Sequence, residues 1–130
     1  MFKELEILRM AHGLAEHAGH RQTVIARNVA NADTPGFRAK DIDGFSEFYS
    51  KSDEGLSLRT TRANHFSAGD SLGQNIELFD SEGDVDPNGN SVSLESEMVK
   101  AAETKRQHDM ALAVYHSSMG ILRTSLGRGR

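Results

Sequence analysis

Cysteine and tryptophan are absent from the 130-residue sequence, proline occurs only twice, and aromatic residues make up 6% of the chain. Without cysteine, neither disulfides nor thiolate metal sites can form. The sequence has no run of about eighteen apolar residues, so no transmembrane helix is predicted. The net charge of −4 gives no reason to expect nucleic-acid binding. The first residues include acidic side chains and no apolar stretch, so we expect no secretory signal peptide.

Apolar residues are also scarce, at 37% of the chain. That fraction is low for a core that stabilises the fold alone, so we expect a partner to cover part of the apolar surface. The seam of the first predicted helix consists largely of small residues, which bury little area each: Ala11, Gly13, Ala15, Ala18 and Gly19. Such a helix is expected to form fully only against neighbours.

Two long amphipathic helices are predicted at the two ends of the chain. Apolar and small residues recur at alternating spacings of three and four over about residues 3–32 and 93–126. The second segment keeps this spacing without a break, as the seam of a coiled coil does. Ser93 is the expected N-cap of that helix, and Gly127 is expected to end it.

The segment between the helices is rich in Gly, Ser, Asp and Asn, and has short candidate strands at 56–61 and 76–79. We predict a mainly α fold, in which two terminal helices pair as an antiparallel coiled coil around an extended, loop-rich, partly β middle segment. The predicted boundaries are 1–34, 35–91 and 92–130, with the middle segment projecting outward. A globular helix hairpin with an ordinary core is the alternative.

A turn follows the first predicted helix. Pro35 disfavours helical backbone at the residue before it, and Gly36 can adopt a positive φ. The string Asn-Val-Ala-Asn-Ala-Asp-Thr-Pro-Gly-Phe at 28–37 closely resembles the motif that closes the first helix of bacterial flagellar rod and hook proteins. The segment 88–98 also resembles the part of that family that opens the C-terminal helix. The residues expected to set the turn are Asn28, Asn31, Thr34, Pro35 and Gly36.

The resemblance implies a structural subunit of the proximal rod of the flagellar basal body, with no catalytic activity and no cofactor. It also implies export through the flagellum's own type III apparatus without a cleaved signal peptide, and a place in the periplasmic rod. The implied partners are copies of the chain, other rod proteins, and membrane-ring and export-gate components at the rod base.

Assembly is expected because each predicted helix has apolar residues on more than one side, which a single pairing cannot cover. We expect the subunits to stack helically through heterologous contacts that do not close into a ring. The resemblance implies that these contacts transmit torque. The residues expected to pack at this assembly seam are Leu94, Met98, Leu112, Tyr115, Met119 and Leu122.

An apolar cluster at 45–49 interrupts polar sequence just after the turn. One interpretation is local packing against a helix. The other follows from the family resemblance, since Phe45 and Tyr49 loosely match the short sequence that the export gate reads in rod and hook proteins.

A Ca²⁺ site is the main alternative suggested by the residues themselves. The segment 84–95 has oxygen-bearing residues at EF-hand positions, namely Asp84, Asp86, Asn88 and Glu95, with Gly89 at the sharp turn. Glycines interrupt the region before it, so no preceding helix is expected, and a turn followed by a helix cap is the simpler use. A small Ca²⁺-responsive binding module is therefore the alternative function, and a helical export adaptor or chaperone is a third.

No other pattern indicates chemistry. His12, Glu16 and His20 share one face of the first predicted helix, but a solvated or packed face is the simpler interpretation. The sequence has neither a phosphate-binding P-loop nor a nucleophile elbow, and no spacing singles out a nucleophile. We therefore predict that the protein is not an enzyme and binds no metal.

Overall fold

The computed structural model describes residues 2–53 and 76–127, in which two long helices pair side by side. Helix α1 spans Phe2–Ala30, and helix α3 spans Leu94–Leu126. Between them lie strand β1 (Lys40–Ile42), helix α2 (Phe45–Asp53) and strand β2 (Leu78–Asp80). Asn28 of α1 contacts Glu97 near the start of α3, whereas Ala11 shares a groove with Ala111, so the helices are antiparallel. The predicted mainly α fold with paired terminal helices is confirmed.

Helix α3 begins and ends where its sequence indicates. The Ser93 hydroxyl accepts a hydrogen bond from the Ser96 amide at 3.4 Å, and Glu95 and Glu97 lie in the first turn, where negative charge is favourable. At the other end, the Gly127 amide donates to the Arg123 carbonyl at 2.7 Å. A Cβ atom at residue 127 would lie only 2.6 Å from that carbonyl oxygen, so the position requires glycine.

The contact between the helices is built on small and polar side chains. On α1 the buried stripe includes Ala11, Ala18 and Ile25, which repeat at an interval of seven residues. On α3 the buried residues are Glu97, Thr104 and Ala111, with the same interval. Small residues allow close approach of the two backbones but leave little apolar area in the contact. The large apolar residues of α3 therefore lie mostly outside it.

In the middle segment the described parts, 35–53 and 76–91, lie against the helix pair at β1 rather than projecting outward, and the remainder of the predicted arm lies outside the described residues. Strands β1 and β2 pair antiparallel, with Asp41 opposite Phe79, although a helix intervenes between them in the chain. Ala39 and Ile42 are each 2% exposed, so β1 is part of the buried core rather than a projection. Helix α2 was not predicted at all.

The two candidate strands have different outcomes. The candidate at 76–79 overlaps β2, which begins two residues later than predicted. The candidate at 56–61 lies outside the described residues. In the part of the chain that the structure describes, no helix is both long enough and apolar enough to cross a membrane.

Candidate functional site: the helix junction and the exposed helix surfaces

Asn28, near the end of α1, joins three elements through one buried side chain. Its amide nitrogen donates to the Lys40 carbonyl at 2.7 Å and to Glu97 Oε2 at 3.1 Å. Its amide oxygen accepts from the Lys40 amide at 3.0 Å. The side chain thus pairs with the backbone of β1 as a neighbouring strand would, while it also binds α3. Asn28 is 1% exposed, and each of the two hydrogens of its buried amide has an acceptor.

Asn90, which is distant in sequence, binds the turn that follows the same end of α1. Its amide nitrogen lies 2.7–2.9 Å from the carbonyl oxygens of Asn31, Ala32 and Thr34. Its amide oxygen accepts from the Val92 amide at 2.7 Å. These three carbonyls belong to the turn that follows α1, so this buried side chain secures the turn from more than fifty residues away in the chain.

Two glycines with left-handed backbone allow this junction to close. Gly36 has φ +72° and Gly89 has φ +82°, a region that favours glycine. The Gly36 amide donates to the Asn88 carbonyl at 3.0 Å. A Cβ atom at residue 89 would lie 3.3 Å from the Gly36 Cα, so the two turns meet through backbone alone.

A buried ionic cluster fixes β1 between the helices. Lys100 of α3 binds Asp41 Oδ2 at 2.9 Å and Glu97 Oε1 at 3.2 Å, and Arg21 of α1 lies 3.4 Å from Asp41 Oδ1. Burial alone would raise the pKa of Asp41, but the hydrogen bond from Lys100, that from the Ile42 amide and the charge of Arg21 lower it overall. Burial likewise opposes the charge of Lys100, whose pKa is nevertheless raised by Asp41 and Glu97.

The structure brings the predicted turn residues to this junction, but it assigns them unequal parts. Asn28 is central and buried, and the Asn31 amide nitrogen binds the Arg27 carbonyl at 2.8 Å. Thr34 offers its carbonyl to Asn90, whereas Pro35 and Gly36 are exposed at the turn itself. Their functional roles stay a prediction.

The sequence reasoning missed the residues that meet this turn. They are the polar side chains at Asp41, Asn90, Glu97 and Lys100. Asn90 and Glu97 lay in the segment 88–98, whose resemblance to the family was the signal that could have found them.

Large apolar side chains are exposed along α3. Leu94, Met98 and Tyr115 of the predicted assembly seam are 52%, 72% and 40% exposed, and Leu112 is 41% exposed. Met119 and Leu122 are half-buried. The other strongly exposed apolar residues of the helix are Val99, Met110, Val114, Ile121 and Leu126. Nothing in residues 2–53 or 76–127 covers this surface, and whether it forms the assembly seam stays a prediction.

Phe45 and Tyr49 lie one turn apart on α2, with ring centroids 5.6 Å apart. The Phe45 ring also contacts the ring of His17 on α1, at 5.7 Å between centroids, and Phe48 does so at 5.4 Å. In the folded chain this cluster therefore packs locally onto α1, as the first interpretation of the segment required. Recognition of Phe45 and Tyr49 by an export gate stays a prediction.

The loop proposed for Ca²⁺ is occupied by its own hydrogen bonds. Asn88 Oδ1 accepts from the Asn90 amide at 2.9 Å, and the Gly89 amide donates to the Asp86 carbonyl at 2.8 Å. Glu95 is exposed in the first turn of α3. Within residues 2–53 and 76–127, no group of three or more His, Asp or Glu side chains is arranged to hold a metal ion. The set His12, Glu16 and His20 falls within these ranges.

The described residues thus form an antiparallel helix pair with exposed apolar surfaces, closed at one end by a hydrogen-bonded junction. The family model described as flagella basal body rod protein matches residues 18–38, which are the second half of α1 and the turn. This match covers the signature turn and Asn28.

Curated relatives extend the similarity over most of the chain. A flagellar basal body rod protein FlgB of Agrobacterium fabrum strain C58 is 33% identical over 117 residues, which cover 87% of each chain. The FlgB of Salmonella typhimurium strain LT2 is 31% identical over 106 residues, 76% of this chain and 77% of the relative. The FlgB of Escherichia coli K12 is 33% identical over 100 residues, 72% of each. The chain therefore belongs to the FlgB family of flagellar basal body rod proteins, and the predicted resemblance is confirmed. The relatives are named as rod proteins and not as enzymes, in agreement with the prediction.

Proposed function

We propose that this chain is a structural subunit of the proximal rod of the flagellar basal body, which assembles helically with copies of itself and with other rod proteins. The observation that carries the proposal is the exposed apolar surface of α3. Met98 and Leu126 are 72% and 82% exposed although their helix packs on α1. Complete burial of such a side chain against a neighbour is favourable by about 1.5–3 kcal/mol.

Exposed apolar residues on more than one side of the hairpin support an open assembly rather than a closed dimer. At about 100° per residue, Val99 lies about 200° around α3 from the buried Glu97, so it faces away from α1. Val99 is 61% exposed, and Ile7 and Met10 of α1 are 39% and 41% exposed. Different apolar faces can bind different neighbours, and heterologous contacts that do not close generate a rod.

The junction supports transmission of torque through each subunit. Asn28, Asn90 and the cluster of Asp41 with Lys100 connect α1, β1 and α3 by buried hydrogen bonds and ion pairs. A hairpin tied in this way resists sliding of one helix along the other, because sliding would leave buried polar groups without partners. We propose that segments 1–34 and 92–130 form the assembly contacts and that segment 35–91 secures them.

We further propose that the protein reaches a periplasmic position in the rod by type III export without a cleaved signal peptide. Its neighbours there would include membrane-ring and export-gate components at the rod base. The resemblance at Phe45 and Tyr49 supports recognition by the gate. Replacing both residues with serine should reduce the amount of exported subunit, whereas Tyr115→Ser should not. Equal export of the two variants would contradict this role.

The assembly proposal is tested by a charge placed on the exposed surface of α3. Met98→Asp should abolish incorporation into basal bodies and motility when the variant is the only copy in the cell. Ser117→Asp is the matched control, since it adds the same charge at an exposed polar position of the same helix. Circular dichroism should show equal helicity for both purified variants. Normal motility with Met98→Asp would overturn the proposed seam.

A further inference from the structure

His17 is a buried histidine that the junction and the assembly surface do not use. Its side chain on α1 is 2% exposed, and its Nε2 lies 2.8 Å from the Asp43 carbonyl. A carbonyl oxygen only accepts, so Nε2 carries the hydrogen and the ring can remain neutral. Nδ1 is buried and has no hydrogen-bond partner among residues 2–53 and 76–127. A second proton on this ring would therefore find no acceptor.

Helix α2 packs against the same ring. Phe45 and Phe48 both contact it, with centroids 5.7 and 5.4 Å away, and Phe48 is 8% exposed. The carbonyl that His17 binds belongs to the short link between β1 and α2. The imidazole of His17 therefore contacts both the backbone just before α2 and the apolar side chains of α2.

Burial, aided by two nearby cationic groups, disfavours a second proton on His17. Burial lowers the pKa of His17 below its ordinary value of 6.5, and the charges of Arg21 and His20 act in the same direction. The bond to the Asp43 carbonyl and the charge of Asp41 oppose this shift. Asp41 is itself paired with Lys100 of α3 at 2.9 Å, which weakens its effect on the ring. On α2, the acidic residue of the first turn, Glu47, is exposed.

We propose that His17 is an acid-sensitive latch: its neutral ring holds α2 against α1, and uptake of a proton at Nδ1 releases α2. The proton would place an unpaired charge in a site that excludes water, and release of α2 returns the ring to solvent. The helix pair itself stays closed, because its junction is formed by Asn28, Asn90 and Lys100 and does not involve His17.

The pH dependence of this latch has a definite sign. The released ring takes up a proton at its ordinary pKa and the docked ring at a lower pH, so docking is strongest at and above neutral pH. As the pH falls through the window between the two pKa values, the equilibrium constant for release rises about tenfold per pH unit.

Hydrogen–deuterium exchange of the whole chain tests the latch. Exchange should be compared at about pH 7.5 and about pH 5.5, after correction for the pH dependence of chemical exchange. We expect residues 44–53 to lose protection at the lower pH while α1 and α3 keep theirs. Equal protection of 44–53 at the two pH values would overturn the proposal, and so would an equal loss throughout α1 and α3.

Two variants separate titration from packing. His17→Phe keeps an aromatic ring but cannot take up a proton, and His17→Gln keeps a donor for the Asp43 carbonyl. The difference in exchange between the two pH values should disappear in both variants, whatever their absolute protection. His12→Gln, at an exposed position of the same helix whose charge does not act on His17, should keep the response of the unmodified protein. A full pH response in His17→Phe and His17→Gln would refute the assignment to His17.

Discussion

Replacing Asn28 with aspartate should destabilise the folded chain by about 3–5 kcal/mol at neutral pH. The amide nitrogen of Asn28 donates to the Lys40 carbonyl and to Glu97, at 2.7 and 3.1 Å. An aspartate of the same shape can still accept from the Lys40 amide, but it loses both donations. Each buried acceptor left without a donor costs about 1–3 kcal/mol. The new carboxylate also faces that of Glu97, which is 2% exposed, and the repulsion adds to the cost.

The measurement is urea unfolding followed by circular dichroism, with Asn31→Asp as the matched control. Asn31 donates to the Arg27 carbonyl at 2.8 Å from a partly exposed position, so the same chemical change there should cost less than about 1 kcal/mol. Adding Glu97→Gln to Asn28→Asp should recover part of the loss, because the glutamine amide can donate to the substituted carboxylate. Equal costs at residues 28 and 31 would refute the proposed role of the junction.

Three further perturbations test other parts of the structure. Gly89→Ala should lower the free energy of unfolding in urea by about 1–2 kcal/mol, because φ is +82° there and the added Cβ meets Gly36. Gly120→Ala, at an open helical position, should instead raise it by about 0.5–1 kcal/mol. Equal effects would contradict this account. Lys100→Met should cost about 3–5 kcal/mol near neutral pH, because it leaves the buried carboxylate of Glu97 without a cation and that of Asp41 with Arg21 alone. The lowered pKa of Asp41 makes the unmodified protein lose stability as the pH falls below about 3.8, and this acid loss should be smaller in Lys100→Met. Calorimetric titration with Ca²⁺ should give no specific heat, since the side-chain oxygen of Asn88 is already bonded to the Asn90 amide; saturable binding would restore the alternative function.

Both long helices could be predicted because their signals are local. Periodic apolar residues, the Ser93 cap and Gly127 act within a few residues of one another, and α3 was predicted to within a residue at each end. The antiparallel pairing followed because both helices lie at the ends of the chain and each carries an apolar surface. The turn at Pro35 and Gly36 was likewise a local signal, strengthened by the resemblance of its string to a family motif.

The junction could not be predicted because its partners are distant in sequence. Nothing near Asn28 or Asn90 in the chain indicates that the two amides are buried, since their acceptors lie on other elements. Strand β1 is only three residues long, which is too short for its alternation to be recognised, and although a candidate strand at 76–79 overlapped β2, the pairing of β2 with β1 across an intervening helix gave no local signal. Helix α2 had a visible signal in Phe45, Phe48 and Tyr49 at spacings of three and four, but the contact with His17 that secures it was not visible.

The most direct test of the assembly claim uses the absence of cysteine, which makes any introduced thiol unique within the subunit. Met98→Cys should react quickly with a maleimide in the free subunit, because residue 98 is strongly exposed, and should be protected in purified basal bodies. Ser46→Cys, at an exposed position on α2, serves as the comparison for general access of the reagent. Protection of residue 98 on assembly would agree with coverage of the apolar surface of α3 by a neighbour. Undiminished labelling of residue 98 in the assembled rod would contradict it.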